Sequence, residues 1–293
     1  MLVPSYDLIK KAQKEGYAVP AFNAENMEMV QGIIAAAQEC NSPVIIQTTP
    51  PTVKYITSQM MHAMVSTIAQ SVSVPVALHL DHCDNFDDVM KAIKAGYTSV
   101  MFDGSKKSLE ENTAITKRVV EVAKPMGITV EAELGTIGGK EDNVSAQVQY
   151  TSVEDAVLFA EETEVDILAI AIGTAHGFYK GEPKLDFTRL AEIREKLDTP
   201  LVLHGGSGIP EEKIKRSIQL GMAKINFATE LRAAATAGVR DILTDTSVID
   251  PKKYMGKARE LVKQLCVEKI KLCGSAGKAN MYISGEDYVT SIT

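Results

Sequence analysis

The sequence predicts an α/β protein, a closed (β/α)8 TIM barrel with a C-terminal helical extension. Eight short apolar segments rich in β-branched residues alternate with segments of helical periodicity, which is typical of repeated βαβ units around a parallel sheet. Eight units within roughly 230 residues fit a closed barrel better than an open sheet. An open doubly wound sheet would favour G-x-G-x-x-G after its first strand, where this chain has AFNAEN. No linker divides the chain, so we expect a single domain over residues 1–293.

Each predicted strand is a nearly uninterrupted apolar run, as in PVIIQTT and DILAIAI. Such runs are expected where a parallel sheet is buried on both faces. The predicted strands are residues 18–24, 43–49, 74–80, 99–105, 129–135, 166–172, 200–206 and 224–230.

The segments between the strands carry helical periodicity and helix-start signals. Ser152 is followed by acidic residues, and Pro210 by two glutamates, as at helix N-termini. The first 16 residues form an amphipathic pattern, and residues 247–293 form the C-terminal extension, with a helix around 255–273. The other predicted helices are 26–40, 57–71, 86–95, 108–125, 153–163, 187–197 and 211–220, before a long tail that begins at 229.

Composition excludes several kinds of partner. The formal net charge of -7 argues against a nucleic-acid surface or a polybasic membrane patch, so local groups must capture any phosphorylated substrate. No apolar run approaches the roughly 20 residues of a membrane span, and no signal pattern is present. The cysteines show no CxxC pairing, so we expect free thiols and a reducing, cytoplasmic setting. They are Cys40, Cys83, Cys266 and Cys273.

Histidines give the strongest chemical signal. There are five, and His82, His176 and His204 follow the third, sixth and seventh predicted strands. The carboxyl ends of barrel strands meet at one face, so these imidazoles can converge. Three imidazoles with an open fourth position make a catalytic zinc site. His79 lies inside its strand and is expected to pack or support the site, whereas His62 is expected to be structural.

Carboxylates accompany the histidines. Asp81 adjoins His82, while Glu131 and Glu133 share strand parity and point the same way, expected to be inward. A carboxylate in an apolar strand needs a metal, a proton or a cation. We favour a site role for Glu133; the alternative for either glutamate is an ion pair with a lysine such as Lys224.

Three loops complete the predicted active face. GTIGGKED after the fifth strand is glycine-rich, and its Glu141 and Asp142 could close over the site as a lid. LHGGSG after the seventh strand and NFATE after the eighth combine glycine amides, hydroxyls and a helix N-terminus. That combination is typical of the phosphate site of this fold.

The motifs together resemble a known family. AVPAFN, HLDHC, EAELGTIGGKED, GTAHGFYKGEP, LHGGSGIP and KINFATELR occur in the order and spacing of the zinc-dependent class II ketose-bisphosphate aldolases. The similarity runs from about residue 3 to residue 273. It implies a metal-dependent aldehyde-lyase that reversibly cleaves a ketose 1,6-bisphosphate to dihydroxyacetone phosphate and D-glyceraldehyde 3-phosphate.

The resemblance also implies roles for single residues. His82, His176 and His204 would bind one Zn²⁺, with Glu133 at an alternative metal position. Asp81 would handle the hydroxyl proton at carbon 4 of the sugar, and Glu141 would exchange a proton with the carbanion carbon. Carbonyls of the phosphate loops would hold a monovalent cation, Na⁺ or K⁺. Substrate-binding candidates, mostly for the ketose-side phosphate, are Asn23, Thr49, Gly177, Gly205, Gly206, Ser207, Asn226, Ala228 and Thr229.

Two positions depart from the family pattern. Ala228 stands where many fructose-specific members carry an acid, so the chain is more similar to the tagatose-bisphosphate branch, with the fructose-bisphosphate aldolases next. Lys252 in DPKKY replaces an arginine that reaches the distal phosphate across a subunit boundary, in a homodimer or homotetramer. A lysine keeps the charge but loses bidentate geometry.

Other functions remain open on the residues alone. A related phosphorylated ketose or a keto acid could replace the bisphosphate. A Schiff-base aldolase could use Lys224 as its nucleophile, but the three histidines would then have no role. A barrel metallohydrolase would favour an HxH pair, whereas HLDH is spaced i, i+3. A non-catalytic sugar-phosphate binder would not need Asp81 and Glu141.

Overall fold

The computed structural model describes residues 1–141, 144–146, 149–179 and 181–279. Eight parallel strands close into a barrel in the order β1-β2-β3-β4-β5-β8-β10-β11, which confirms the predicted (β/α)8 fold. The remaining three strands form a small separate sheet, β7-β6-β9. The strands are β1 (Val19–Asn23), β2 (Val44–Thr48), β3 (Val76–Cys83), β4 (Ser99–Phe102), β5 (Thr129–Leu134), β6 (Gly138–Glu141), β7 (Val144–Ala146), β8 (Ile167–Ile170), β9 (Ala175–His176), β10 (Leu201–Leu203) and β11 (Met222–Phe227).

Helices surround the barrel, and several begin where the sequence encodes a cap. The Ser152 side chain accepts a hydrogen bond from the Asp155 N–H, which confirms the predicted start of that helix. The helices are α1 (Tyr6–Glu15), α2 (Met27–Cys40), α3 (Pro50–Ile56), α4 (Ser58–Ala69), α5 (Phe86–Ala95), α6 (Leu109–Ala123), α7 (Val153–Thr163), α8 (Phe187–Lys196), α9 (Glu211–Gln219), α10 (Thr229–Ile242) and α11 (Pro251–Leu272).

Helix α1 packs against the amino end of the barrel interior. Its apolar face, formed by Leu8, Ile9 and Ala12, joins a cluster of inward-facing strand residues that is separate from the core between barrel and helices. The strand residues of this cluster are Val19, Ala21, Ile45, Ala77, Ile167, Ala169, Val202 and Ala223, all buried. This end of the interior is therefore filled by small and branched apolar side chains, as the fold requires.

The carboxyl end of the same interior is polar. The buried residues there include Asn23, Gln47, His79, Glu131 and Lys224, each no more than 1% exposed. Burying so many polar and charged groups is costly unless they pair with one another or with a ligand. The functional site is therefore to be sought at this end of the barrel.

The C-terminal extension is an outer helix of the barrel layer. Helix α11 runs over 251–272, close to the predicted 255–273, and packs against α2 and α10. It buries Ala258, Val262, Cys266 and Ile270, which recur every four residues. Of the predicted extension 247–293, the structure describes residues up to 279. The four cysteines are free thiols, and no helix among the described residues is long and apolar enough to cross a membrane.

Candidate active site

The end of β3 brings two consecutive side chains to one place. Asp81 and His82 would point to opposite faces of a regular strand. The register of β3 against β4 shifts between Leu80 and Cys83, and His82 adopts a left-handed φ of 49°. Such a bulge re-aims a side chain. The other described non-glycine residues with a positive φ, namely Asn41, Thr57 and Glu164, are helix caps, whereas His82 is not, and strained backbone of this kind clusters at active sites. The His82 ring thereby joins the interior while Asp81 keeps its inward direction.

Three histidines meet at this point. His82 contributes from β3, His176 from the short strand β9 and His204 from the residue after β10. The ring centroids of His82 lie 4.8 Å from His176 and 4.5 Å from His204. One ring nitrogen from each of the three lies within 4.8 Å of the others. This donor set of three neighbouring imidazoles fits a zinc ion.

Strand β9 was not predicted. It pairs in parallel with β6, which places His176 beside Gly139 of the glycine-rich segment predicted to be a lid, here called the lid segment. Gly139 has a φ of 86°, and a Cβ there would lie 2.2 Å from the His176 carbonyl oxygen. The lid segment and the histidine loop can therefore approach this closely only with glycine at that position.

His204 is held between two glutamates of β5. Its Nε2 lies 2.8 Å from Glu131 Oε1, and its Nδ1 lies 2.9 Å from Glu133 Oε2. Burial and the neighbouring His82 oppose a charge on this ring, yet the two carboxylates raise the pKa of His204 to about 9. The other oxygen of Glu131 is 2.6 Å from the Lys224 ammonium. Glu131 thus takes part in the buried ion pair that was the alternative to a site role.

A second group of possible metal ligands consists of His82, Asp103 and Glu133. His82 Nδ1 lies 2.9 Å from Asp103 Oδ2 and 3.9 Å from Glu133 Oε2. Burial would raise the pKa of Asp103, but hydrogen bonds from His82 and Ser105 hold it below the ordinary value. Burial and the nearby Asp103 charge raise the pKa of Glu133. These acids need a counter-charge in a buried setting, which a divalent cation would supply.

Asp103 was missed in the sequence, although a signal was present. It lies at the end of the fourth predicted strand, in SVMFDGS, the position that Asp81 and His82 occupy on the third. An acid at the carboxyl end of a barrel strand is a candidate site residue. His79 is buried beneath these groups, with Nδ1 2.7 Å from Ser99 Oγ and Nε2 3.5 Å from Glu131 Oε2.

Asp81 is buried and held on both oxygens. Gln47 Nε2 donates to Oδ2 at 2.9 Å, and Asn226 Nδ2 donates to Oδ1 at 3.2 Å. Gln47 also donates to Asn23 Oδ1 at 2.8 Å. These side chains come from β1, β2 and β11, so three neighbouring strands orient one carboxylate. Gln47 was not singled out in the sequence, though a polar residue within VIIQT was the available signal.

A cavity lies against the histidines. His82 and His176 line one part of it, and Arg232 of α10 lines another. Most of the predicted substrate-binding residues meet here. They are Asn23, Gly177, Gly205, Ser207, Asn226, Ala228 and Thr229.

The loop after β10 approaches other backbone segments closely. Gly205 has a φ of 67°, and a Cβ there would lie 2.5 Å from the Ala175 carbonyl oxygen. A Cβ on Gly206 would lie 2.7 Å from the Asn226 carbonyl oxygen. Ser207 Oγ accepts from the Ala228 N–H at 3.3 Å, at the start of α10. Glycine backbone beside a helix N-terminus is suited to an anion such as a phosphate.

Tyr179 ties the histidine loop to the phosphate loop. Its hydroxyl accepts from the Ala175 N–H and donates to the Gly205 carbonyl, both at 2.9 Å. Burial raises the pKa of Tyr179 to about 12, so the phenol keeps the proton that it donates. No pattern within GFYKGEP singles out this residue.

The remaining candidates lie away from the cavity or outside the described parts. The Glu141 side chain and all of Asp142 are outside the described residues. Thr49 is buried, with Oγ1 3.2 Å from Thr52 Oγ1. Lys252 lies at the start of α11, its side chain 87% exposed and 3.0 Å from Asp250, and it does not line the cavity.

Comparison with known proteins gives one consistent result. The family model described as fructose-bisphosphate aldolase class-II matches residues 3–278. The chain is 44% identical to a sulfofructosephosphate aldolase of Alkalicoccus urumqiensis, over 94% of this chain and 97% of that protein. It is also 44% identical to a fructose-bisphosphate aldolase of Thermus caldophilus, over 95% of this chain and 100% of that protein. The solved YdjI aldolase from Escherichia coli K12 has a TM-score of 0.86 at 39% identity, covering 95% of this chain and 100% of that one.

Proposed function

The chain belongs to the class II fructose-bisphosphate aldolase family, and from this membership we propose that it is a zinc-dependent aldolase. The proposed reaction is reversible retro-aldol cleavage of a ketose 1,6-bisphosphate, D-tagatose or D-fructose, to dihydroxyacetone phosphate and D-glyceraldehyde 3-phosphate. The observation that carries the proposal is the convergence of three histidines and a buried aspartate beside one cavity. The glycine loops after β10 and β9 line that cavity as well.

His82, His176 and His204 would hold the zinc ion, and Glu133 with Asp103 would offer an alternative position beside His82. The chemistry that the metal supplies when bound is Lewis-acid stabilisation of the negative charge on the enediolate of dihydroxyacetone phosphate. Glu131 is not one of the proposed ligands but would orient His204, because its carboxylate contacts that ring and is itself paired with Lys224.

Asp81 is the proposed base in the cleavage direction. It accepts the proton of the carbon 4 hydroxyl while the bond between carbons 3 and 4 breaks, which releases the aldehyde. The hydrogen bonds from Gln47 and Asn226 fix the orientation of the carboxylate. Glu141 is the proposed donor of the proton that the enediolate carbon then takes up. Gly205, Ser207 and the start of α10 would bind the ketose-side phosphate.

A Schiff-base mechanism on Lys224 is disfavoured by the contacts of that lysine. Its side chain is 1% exposed, and its Nζ lies 2.6 Å from Glu131 Oε2. An amine nucleophile must reach the substrate carbon, whereas Lys224 is held in this ion pair and is not among the described residues that line the cavity.

The identity of the sugar is the finer part of the proposal. Ala228 and the motif NFATELR support the tagatose branch, and one curated relative is named a fructose-bisphosphate aldolase. The other relative is named a sulfofructosephosphate aldolase, so a ketose phosphate that carries a sulfonate is a second candidate. These substrates differ at carbon 4 or in the anionic group at the distal end.

The deciding experiment combines metal analysis with kinetics. The protein is stripped with EDTA, reloaded with zinc, and assayed on tagatose 1,6-bisphosphate, fructose 1,6-bisphosphate and the sulfonate analogue. We expect activity to be lost in EDTA and restored by about one zinc per chain. Activity that survives complete metal removal, or substrate-dependent trapping by borohydride, would contradict the zinc mechanism.

Two further parts of the proposal rest on the family resemblance. A monovalent cation would bind carbonyls of the phosphate loops, and the chain would form a homodimer or homotetramer. Titration of activity with Na⁺ and K⁺ tests the first part, and light scattering of the purified protein tests the second.

A further inference from the structure

A chain of buried hydroxyls leads from the first helix into the barrel interior. Ser5 is the N-cap residue of α1, but its side chain makes no capping hydrogen bond. Its hydroxyl instead donates to Ser99 Oγ of β4 at 2.9 Å, and Ser99 Oγ lies 2.7 Å from His79 Nδ1 of β3. All three residues are no more than 1% exposed. The hydroxyl that would ordinarily cap the helix therefore helps to orient a buried histidine.

The hydrogen bonds fix which nitrogen of His79 carries a proton. Ser5 donates to Ser99, so the Ser99 hydroxyl donates its own proton to His79 Nδ1. Burial and the nearby Lys224 ammonium hold the pKa of His79 well below its ordinary value, so the ring is neutral. A neutral imidazole that accepts at Nδ1 carries its proton at Nε2. The two serines thus make Nε2 of His79 a hydrogen-bond donor.

This donor lies between two carboxylates and has no hydrogen-bond partner among the described residues. His79 Nε2 is 3.5 Å from Glu131 Oε2 and 3.9 Å from Asp81 Oδ1. Glu131 is already held on both oxygens, by the Lys224 ammonium at 2.6 Å and by His204 Nε2 at 2.8 Å. Because a buried donor without a partner is costly, Nε2–H should gain one when Asp81 acts.

Asp81 is placed to become that partner. It lies two positions after His79 on β3, so both side chains face the same way. Asp81 Oδ1 accepts a long hydrogen bond of 3.2 Å from Asn226, and its second lone pair can accept another donor. A shift of roughly 1 Å would bring Oδ1 within hydrogen-bonding distance of Nε2. Catalytic hydrogen bonds that are long in a free enzyme often tighten in the substrate complex.

We propose that His79 is a positioning residue for the base Asp81, and that its Nε2–H, directed by Ser99 and Ser5, donates to the carboxylate when substrate binds. The inference rests on the proposed function, in which Asp81 takes the carbon 4 hydroxyl proton. The contact fixes the orientation of the carboxylate while it accepts that proton. Its loss should therefore lower kcat and leave KM unaltered.

Two substitutions separate the ring nitrogens. His79→Asn keeps a polar group near the position of Nδ1 but has no counterpart of Nε2, whereas His79→Gln places an amide N–H near the position of Nε2. The zinc-loaded variants are assayed on D-tagatose or D-fructose 1,6-bisphosphate, whichever the parent cleaves. For His79→Asn we expect kcat to fall about 30-fold with KM within about twofold, the loss typical of one hydrogen bond to a charged group. His79→Gln should recover most of this loss.

A half-reaction without aldehyde shows which carboxylate His79 serves. Exchange of the dihydroxyacetone phosphate proton with solvent deuterium requires the metal and the proton donor, but not the base at the carbon 4 hydroxyl. His79→Asn should therefore exchange at the parent rate and bind zinc as the parent does. If exchange and zinc binding fell together with kcat, His79 would act on the metal through Glu131 and His204, and the inference would be wrong.

The serines test the same contact without changing the histidine. Ser99→Ala removes the donor to Nδ1, so part of the His79 rings should carry the proton at Nδ1, and kcat should fall by part of the His79→Asn loss. Nitrogen-15 NMR of the imidazoles detects this shift, and the His79 signal is identified by its absence from His79→Gln. Ser42→Ala is the matched control, because Ser42 Oγ donates to Ser275 Oγ at 2.9 Å and both residues are fully buried away from the cavity.

Three other outcomes would overturn the inference. Parent kcat in His79→Asn, or equal losses in His79→Asn and His79→Gln, would remove the Nε2 contact. A parent His79 ring with its proton at Nδ1 would contradict the direction of the hydrogen bonds. If neither His79 variant folds, Ser99→Ala decides, since a parent kcat and an unchanged proton position there would be incompatible with the inference. Failure of the proposed function has a different signature, because the zinc-loaded parent protein would then neither cleave a ketose bisphosphate nor exchange a proton.

Discussion

The two ends of the barrel interior are built from the same strands and have opposite chemistry. At the amino end, apolar side chains from the strands pack around α1. At the carboxyl end, the inward-facing residue that follows two positions after each apolar one is polar and buried. The pairs are Ala21 and Asn23 on β1, Ile45 and Gln47 on β2, and Ala77 and His79 on β3.

A shift of two residues keeps the side chain on the same face of the strand. Apolar burial at the amino end stabilises the barrel, whereas buried charge at the carboxyl end is costly unless it is paired. Along β1, β2 and β3, the inward residues that stabilise the barrel and the inward residues of the site therefore lie two positions apart. Substitutions at one end should therefore leave the property of the other end intact, and the following predictions test this separation.

The largest effect is expected for His82→Ala. The substitution removes a proposed zinc ligand and the partner of Asp103, so we expect zinc binding and cleavage to be abolished. Folding at the amino end should be unaffected, because His82 is not a member of the apolar cluster. Metal content by mass spectrometry and far-UV circular dichroism check both statements. His62→Ala on α4 is the control histidine, and a zinc content equal to the parent in His82→Ala would remove the ligand assignment.

Asp81→Ala should separate metal binding from proton transfer. The variant should keep one zinc per chain and lose about 1,000-fold in kcat, the size expected for a positioned general base. Metal analysis and steady-state kinetics are measured on the same preparation. Cleavage at the parent rate would show that another group takes the hydroxyl proton. Loss of zinc together with activity would mean that Asp81 acts on the metal site.

The fold was predictable because the apolar runs and the loop lengths repeat, whereas the details of the site depend on local irregularity. Sequence pattern identified Asp81 and His82, yet regular alternation would place them on opposite faces. The bulge in β3 and the left-handed φ of His82 bring them together, and neither has a pattern of its own. Asp103 was missed because a single acid in SVMFDGS has no accompanying motif, so that its place at a strand end was the one signal it offered.

Two contacts between distant segments had no signal in the sequence. Strand β9 exists because it pairs with the lid segment β6, and two residues are too few to give a periodic signal. Arg232 and Glu25 lie 207 positions apart, and only the closed barrel brings them together. The convergence of the three histidines and the Glu131–Lys224 ion pair were foreseeable from strand ends and strand parity, whereas these two contacts between irregular segments were not.

A substitution at the amino end should lower the stability of the protein and leave its kcat intact, the opposite of what we expect for the site variants. Ile45→Ala removes a fully buried side chain of the apolar cluster and leaves a cavity, so we expect a loss of about 3 kcal/mol in the free energy of unfolding. Urea unfolding of metal-free protein measures this loss, since bound zinc would stabilise both proteins. The kcat of the zinc-loaded variant should stay within about twofold, while Ile45→Val should lose only about 1 kcal/mol.

Gln47, two residues beyond Ile45, contacts Asp81, so the Ile45 variants test whether the two ends of the interior depend on each other. If the two ends of the interior are independent, Ile45→Ala will be unstable and active. A drop in kcat as large as that of Asp81→Ala would show that packing below the site determines the geometry above it.

The smallest effect is expected for Ser207→Ala, because the Ser207 side chain contributes both to the stability of α10 and to the lining of the cavity. Ser207 Oγ accepts the N–H groups of Ala228 and Glu230 at 3.3 and 3.4 Å, so it caps α10 and also lines the cavity. Loss of a cap costs about 1 kcal/mol, and these long hydrogen bonds place the expected loss at or below that value. Because the same hydroxyl faces the proposed phosphate site, KM for dihydroxyacetone phosphate should rise by about tenfold at the same time.

Ser217→Ala on α9, whose hydroxyl donates to the Lys213 carbonyl, is the control that should change stability alone. If Ser207→Ala changed stability but left KM unaltered, the hydroxyl would belong to the fold, and the phosphate would be held by backbone N–H groups.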